Sequence, residues 1–125
     1  MQDFKRLRVS TNARTVIRAT YRFTAALPRE ELFGLTAQMR RAAVSIGLNI
    51  AEGCSRRSTR EFIRFLEIAR GSGMELEFAI VVTEDLQFGP AHERATLAKE
   101  LLQSQRQLSA LITSLRRRLA ARTRQ

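Results

Sequence analysis

Tryptophan is absent from this chain of 125 residues, and histidine, cysteine and tyrosine occur once each, as His92, Cys54 and Tyr21. A single cysteine rules out an intrachain disulfide framework and fits a reducing compartment. One His and one Cys cannot complete a zinc site from one chain, and no Glu-x-x-His pair offers the di-iron ligands some helical bundles carry. No glycine-rich phosphate loop is present, because Gly71-Ser-Gly73 falls inside a helical pattern where it permits close packing. No metal, cofactor or small-molecule substrate is therefore expected, and the chain reads as non-enzymatic. No apolar run approaches the roughly 18 residues that cross a bilayer. The opening segment, Met1 to Arg8, mixes charge with Phe4 and Leu7 and lacks a signal-peptide core. A cytoplasmic location without membrane attachment is the expectation.

What is abundant is arginine. Twenty Arg stand against two Lys, and the formal net charge is +10. The excess is uneven: residues 1–29 sum to +6, residues 90–125 to +6, and residues 30–89 to −2. Basic excess of this kind suits a polyanion. Arginine in place of lysine is equally what a codon-biased genome writes, so charge alone leaves RNA, DNA and an acidic protein partner open.

Composition is 44% hydrophobic with six Gly and two Pro, which describes one globular domain over residues 1–125. Apolar residues recur at three-or-four spacing throughout. Val9, Ala13, Val16, Ile17, Thr20, Phe23 and Leu27 predict a first helix over 10–26. Leu35, Met39, Ala42, Ala43, Ile46 and Ile50 predict a second over 30–52, opened by Glu30 or Glu31 and stopped by Gly53. Ser58 with Glu61 reads as a capping box opening a third helix over 58–87. Gly89-Pro90 separates it from a fourth over 90–120, carried by Leu97, Leu101, Leu108, Leu111, Ile112, Leu115 and Leu119. Four long amphipathic segments with short connections predict an all-α, antiparallel up-down four-helix bundle.

Five constellations are candidates for function. Arg14, Arg18 and Arg22 lie four apart opposite the apolar face of the first helix. Arg56, Arg57, Arg60 and Arg64 cluster where the second helix gives way to the third, and Arg116, Arg117, Arg118, Arg122 and Arg124 close the fourth. Arginines beside a helix N-terminus favour phosphate, while Glu61 and Glu67 stand close enough to make the same residues a solvated ion-pair face. With no aromatic platform for stacking bases, nucleic acid would be held through phosphate. A polar stripe, Gln38, Arg41, Ser45, Asn49 and Glu52, borders the apolar face of the second helix. It is read as a hydrogen-bonded network with the third helix or a neighbouring subunit, or as a binding groove. Finally, Met74, Phe78, Val81 and Val82 surround the far half of the third helix on sides that one bundle cannot bury, which predicts self-association.

Residue by residue the chain resembles a known family, the small four-helix-bundle proteins associated with intervening sequences of 23S ribosomal RNA. The likeness rests on Phe4 and Leu7, Tyr21, Leu27-Pro28, Gly34-Leu35, Gln38, Arg40-Arg41-Ala42-Ala43, Ser45-Ile46, Asn49-Ile50-Ala51-Glu52-Gly53, Glu61-Phe62, Phe65-Leu66, Ala69, Gly71-Ser72 and Glu75-Leu76. It implies a left-handed bundle assembling as a homopentameric ring, without established enzymatic activity. A more distant likeness is to the accessory subunit of diversity-generating retroelements, a basic pentamer that works with a reverse transcriptase and nucleic acid; that likeness is one of fold, and partner identity does not transfer with it. Gly47 departs from the proline common at that place, and Ser10 from an aromatic. The function expected is a basic, ring-forming RNA- or DNA-binding accessory protein; the alternative is a protein-interaction scaffold with no nucleic-acid role.

Overall fold

A computed structural model describes residues 3–123. Among them four helices and no strand occur: α1 (Arg8–Thr24), α2 (Leu35–Cys54), α3 (Thr59–Asp85) and α4 (Ala91–Thr123). Short 3-10 turns at Phe4–Arg6 and Arg29–Glu31 precede α1 and α2. Each helix packs on two neighbours in the cyclic order α1–α2–α3–α4–α1, and the diagonal pairs make no close backbone contact. The connections are too short to cross the molecule, so successive helices run antiparallel and the fold is a four-helix bundle.

The buried stripes follow the apolar spacing. Val16 and Phe23 of α1, Met39, Ile46 and Ile50 of α2, Leu66 and Leu76 of α3, and Leu97, Leu108 and Ile112 of α4 are fully buried. Two polar side chains in this core are satisfied by their own helix: Thr20 donates to the Val16 carbonyl and Thr24 to the Thr20 carbonyl, each at 2.7 Å.

Helix ends show where local chemistry differs from the expected pattern. At α3 the Ser58 hydroxyl accepts from the Glu61 N–H at 3.1 Å, while the Glu61 carboxylate pairs outward with Arg64 at 3.3 Å. Helix α2 starts at Leu35 rather than at residue 30, because Gly34 (φ −105, ψ −112) leaves helical geometry. Glu31 still serves that helix from outside it, its Oε1 accepting from the Leu35 N–H at 3.1 Å. Gly53 is not the stop it was expected to be; α2 continues to Cys54. Its glycine provides room instead: a Cβ there would stand 3.0 Å from Phe65 Cβ and 3.3 Å from the Phe62 carbonyl oxygen. Helix α1 occupies 8–24 rather than 10–26, α3 ends at Asp85 rather than 87, and α4 runs to Thr123 rather than 120. Pro90 stands just ahead of α4, its carbonyl accepting from the Arg94 N–H at 3.0 Å.

Candidate functional site

Antiparallel packing decides which charges meet. The start of α1, the end of α2, the start of α3 and the end of α4 share one end of the bundle. Contacts there tie the segments together: Arg60 and Ile63 of α3 border Arg116 and Leu119 of α4 around one surface depression. Arg116 reaches the Glu67 carboxylate at 2.8 Å. Asp3 lies close enough to Cys54 to act on its thiol, which burial first and that carboxylate second push above the ordinary thiol range.

This end therefore gathers Lys5, Arg6 and Arg8, then Arg56, Arg57, Arg60 and Arg64, then Arg116, Arg117, Arg118 and Arg122, from three separate stretches of chain. Part of the charge is neutralised locally. Arg6 pairs with Asp3 at 3.7 Å, Arg56 with Glu52, Arg64 with Glu61 at 3.3 Å, and Arg116 with Glu67. Arg56 and Arg64 also stack over the Phe65 ring, their guanidinium carbons 4.8 and 4.9 Å from its centre. Lys5, Arg8, Arg57, Arg60, Arg117, Arg118 and Arg122 are exposed and make no ion pair among the described residues. Arg124 lies outside the described residues.

Of the residues singled out in the sequence, Arg56, Arg57, Arg60, Arg116 and Arg117 come together at this pole. Arg14, Arg18 and Arg22 are all exposed but climb α1 away from it. Arg18 donates to the Thr15 hydroxyl at 3.2 Å, and Arg22 lies beside His92 and Glu93 at the opposite end. Sequence reasoning missed Lys5, Arg6 and Arg8 as members of the pole. The signal available was the arm formed by Phe4 and Leu7, whose docking fixes where those charges lie; Leu7 packs against the core.

The polar stripe of α2 divides. Ser45 meets Ser72 of α3 hydroxyl to hydroxyl at 2.9 Å, and the Asn49 amide donates to the Ser45 carbonyl at 2.9 Å and to its hydroxyl at 3.1 Å. Gln38, Arg41 and Glu52 are exposed, joined only by an Arg41–Gln38 contact at 3.4 Å and the Glu52–Arg56 pair.

On α3, Met74, Phe78 and Val81 are 59%, 72% and 47% exposed, and Val82 is half-buried. Met74 and Val81 line a groove of about 470 Å³ between α3 and α4, completed by Ala95, Ala98, Leu101 and Leu102. No helix among the described residues is long and apolar enough to cross a membrane.

A family model described as 23S rRNA-intervening sequence protein matches residues 5–110. Among solved structures, a protein of unknown function from the S23 ribosomal protein family of Bacteroides thetaiotaomicron superimposes with a TM-score of 0.66. It is 21% identical, over 82% of this chain and 98% of that one, a likeness of fold. No curated protein matches the chain.

Proposed function

We infer that this chain, which belongs to the 23S rRNA-intervening sequence protein family, is a non-enzymatic, self-associating accessory protein of the cytoplasm that binds RNA or DNA through phosphate contacts. The observation that carries the reading is the basic pole. Three stretches far apart in sequence deliver exposed, unpaired cations to one end of a rigid bundle, where their fields add. Lone charges scattered over the surface would be screened separately. The pole suits phosphate better than bases: Phe62 is buried, Phe65 is covered by two guanidiniums, and Phe4, 39% exposed, is a single ring rather than a stacking platform.

Binding of this kind releases condensed counterions, so affinity falls steeply with salt. The test is a fluorescence-anisotropy titration of random-sequence RNA and of duplex DNA between about 50 and 200 mM salt. Binding to both, with a log–log slope that shrinks by roughly 0.9 for each phosphate-contacting arginine removed from duplex complexes, is the expected result. Arg57→Gln, Arg60→Gln and Arg118→Gln are the informative changes. Arg22→Gln, at the far end, leaves the slope near that of the unaltered protein. No binding at about 50 mM salt overturns the reading. The second reading, a protein-interaction scaffold, is favoured by one specific feature, the exposed apolar surface of α3.

A further inference from the structure

The end of the bundle away from the basic pole has the opposite character. From Gly71 to Glu93 the chain has no lysine or arginine, and its acids Glu84, Asp85 and Glu93 fall at this end. The turn between α1 and α2 adds Glu30 and Glu31. Glu30, Glu84 and Asp85 are exposed and make no ion pair among the described residues. The arginines nearby answer them poorly. Arg94 turns inward to Thr83 and the Phe88 carbonyl, Arg22 lies beside Glu93, and Arg29 is exposed next to Glu30 in sequence.

Apolar side chains accompany these acids. Phe33 is 92% exposed, Leu86 52% and Leu32 48%. The two turns that carry them lie side by side: a Cβ on Gly89 would stand 3.2 Å from Leu27, the residue that leads into Pro28 and the next turn. Both turns are held in shape. The Glu31 N–H donates to the Pro28 carbonyl at 2.9 Å, Leu32 to Arg29 at 3.1 Å and Gly34 to Glu31 at 3.0 Å. Across from it the Phe88 N–H donates to the Thr83 carbonyl at 2.9 Å, and Arg94 braces the Phe88 carbonyl. A large ring on a fixed turn loses little freedom when covered, which is what an interface anchor requires.

The chemistry of the surface selects its occupant. Unpaired carboxylates repel nucleic acid and anionic lipid. The basic pole of a second copy supplies cations but little apolar surface: Ile63 and Leu115 are buried, Leu7, Phe65 and Leu119 half-buried, and Phe4 is 39% exposed. A segment that places apolar side chains beside lysine or arginine meets both halves of the surface.

We propose that this acidic, apolar pole docks a cationic, amphipathic segment of another protein. Phe33 seats among the segment's apolar side chains, and Glu30, Glu84 and Asp85 face its cations. The bundle then has two ends of opposite preference, phosphate at one and a basic protein at the other, so the two need not compete. The docking stands on this pole by itself; the bridging of protein to nucleic acid rests on the phosphate reading above.

The probe is a fluorescein-labelled, helix-forming peptide of leucine and lysine, with a counterpart carrying serine for every leucine. Anisotropy with the full-length protein, without nucleic acid, should show the leucine–lysine peptide bound and the serine counterpart much weaker. Phe33→Ser and Asp85→Lys, both at exposed sites and checked for folding by circular dichroism, should each weaken binding roughly tenfold. Val81→Ser, in the α3–α4 groove, should leave it unchanged. No binding of the leucine–lysine peptide, equal binding of its counterpart, or binding that survives Phe33→Ser overturns the proposal. Sedimentation velocity without peptide should be the same for Phe33→Ser and the unaltered protein; lost self-association would give the surface to a second copy and overturn the proposal too. Duplex DNA titrated with the Phe33→Ser protein should bind as it does to the unaltered one. Failure of the unaltered protein to bind duplex removes the bridging alone, so the two readings fail separately.

Discussion

The hydroxyls of Ser45 and Ser72 meet at 2.9 Å across the α2–α3 interface, and Asn49 completes the arrangement from the next turn of α2. Ser72 is buried and Ser45 half-buried, so each satisfies a group that water reaches poorly. Ser72→Ala and Ser45→Ala should each cost about 1 kcal/mol, because each leaves the other hydroxyl short of a partner. The double change should cost less than the two singles together by about 0.5–1 kcal/mol, the coupling a shared bond leaves in a double-mutant cycle. Urea unfolding of the four proteins measures it. Strict additivity would mean that the pair contributes nothing.

Three glycines within helices answer differently to alanine. A Cβ at Gly71 meets nothing within 4 Å, so Gly71→Ala should stabilise by about 1 kcal/mol through helix propensity. At Gly53 the same gain is opposed by Phe65 Cβ at 3.0 Å and the Phe62 carbonyl oxygen at 3.3 Å, neither of which is the free end of a side chain. Parting α2 from α3 there costs about 1–3 kcal/mol, and the net effect should be destabilising. Gly73→Ala meets only the free end of Gln105, whose 2.9 Å bond to the Arg70 carbonyl is lost as it swings aside, so a loss of about 1 kcal/mol offsets the propensity gain and the net change should be near zero. Thermal unfolding of the three variants gives the order Gly71→Ala above wild type, Gly73→Ala close to it and Gly53→Ala below it.

Those glycines also mark what sequence could and could not convey. Buried Leu97, Leu101, Leu108, Ile112 and Leu115 are visible as a period because a helix has one core face. Ser58 is visible as a cap because its bond is local. Gly53 looks like a helix stop because a glycine needed for room and one needed for its backbone freedom are the same letter. Residue 30 looks like a helix start because an acid can serve a helix from outside it, as Glu31 does through Leu35. The basic pole was visible in its two larger clusters. Lys5 and Arg8 join them only through the docking of the arm, a tertiary matter. Arg14, Arg18 and Arg22 share a helix face, which spreads them along the bundle instead of gathering them.

Cys54 links the pole to alkaline stability. Burial, with Asp3 adding to it, raises its thiol pKa in the folded protein. The neutral thiol is thus favoured by folding, and the unfolded chain ionises first as pH rises past about 8.5. The folded state then binds more protons than the unfolded one, so stability declines with rising pH from that point until the folded thiol ionises too. Denaturant midpoints measured from about pH 7 to 10 should fall, and the Cys54→Ala protein should fall less steeply. The same burial predicts slow modification by a thiol reagent at neutral pH until the chain unfolds. Rapid labelling of the native protein would contradict it.

Gln87 ends α3 in the left-handed region, at φ 58, where glycine is the usual occupant. The bonding around it is that of a Schellman cap: the Phe88 N–H donates to the Thr83 carbonyl at 2.9 Å, and the Gln87 N–H to the Glu84 carbonyl at 3.0 Å. Arg94 holds the turn from α4, donating to the Thr83 hydroxyl at 3.1 Å and to the Phe88 carbonyl, with its guanidinium over Phe23. A side chain at that φ costs about 1 kcal/mol, and nothing else in the structure requires glutamine there. Gln87→Gly should therefore stabilise by roughly that amount, offset by a few tenths through the greater freedom of the unfolded chain. Gly89, two residues on at φ 78, must behave oppositely, since a Cβ there would stand 2.7 Å from the buried Phe23 ring. Gly89→Ala should lower stability by about 2 kcal/mol or more, through backbone strain and the displaced ring together. Paired chemical unfolding of the two variants decides the matter: equal effects of the same sign would show that the turn is looser than its bonds imply.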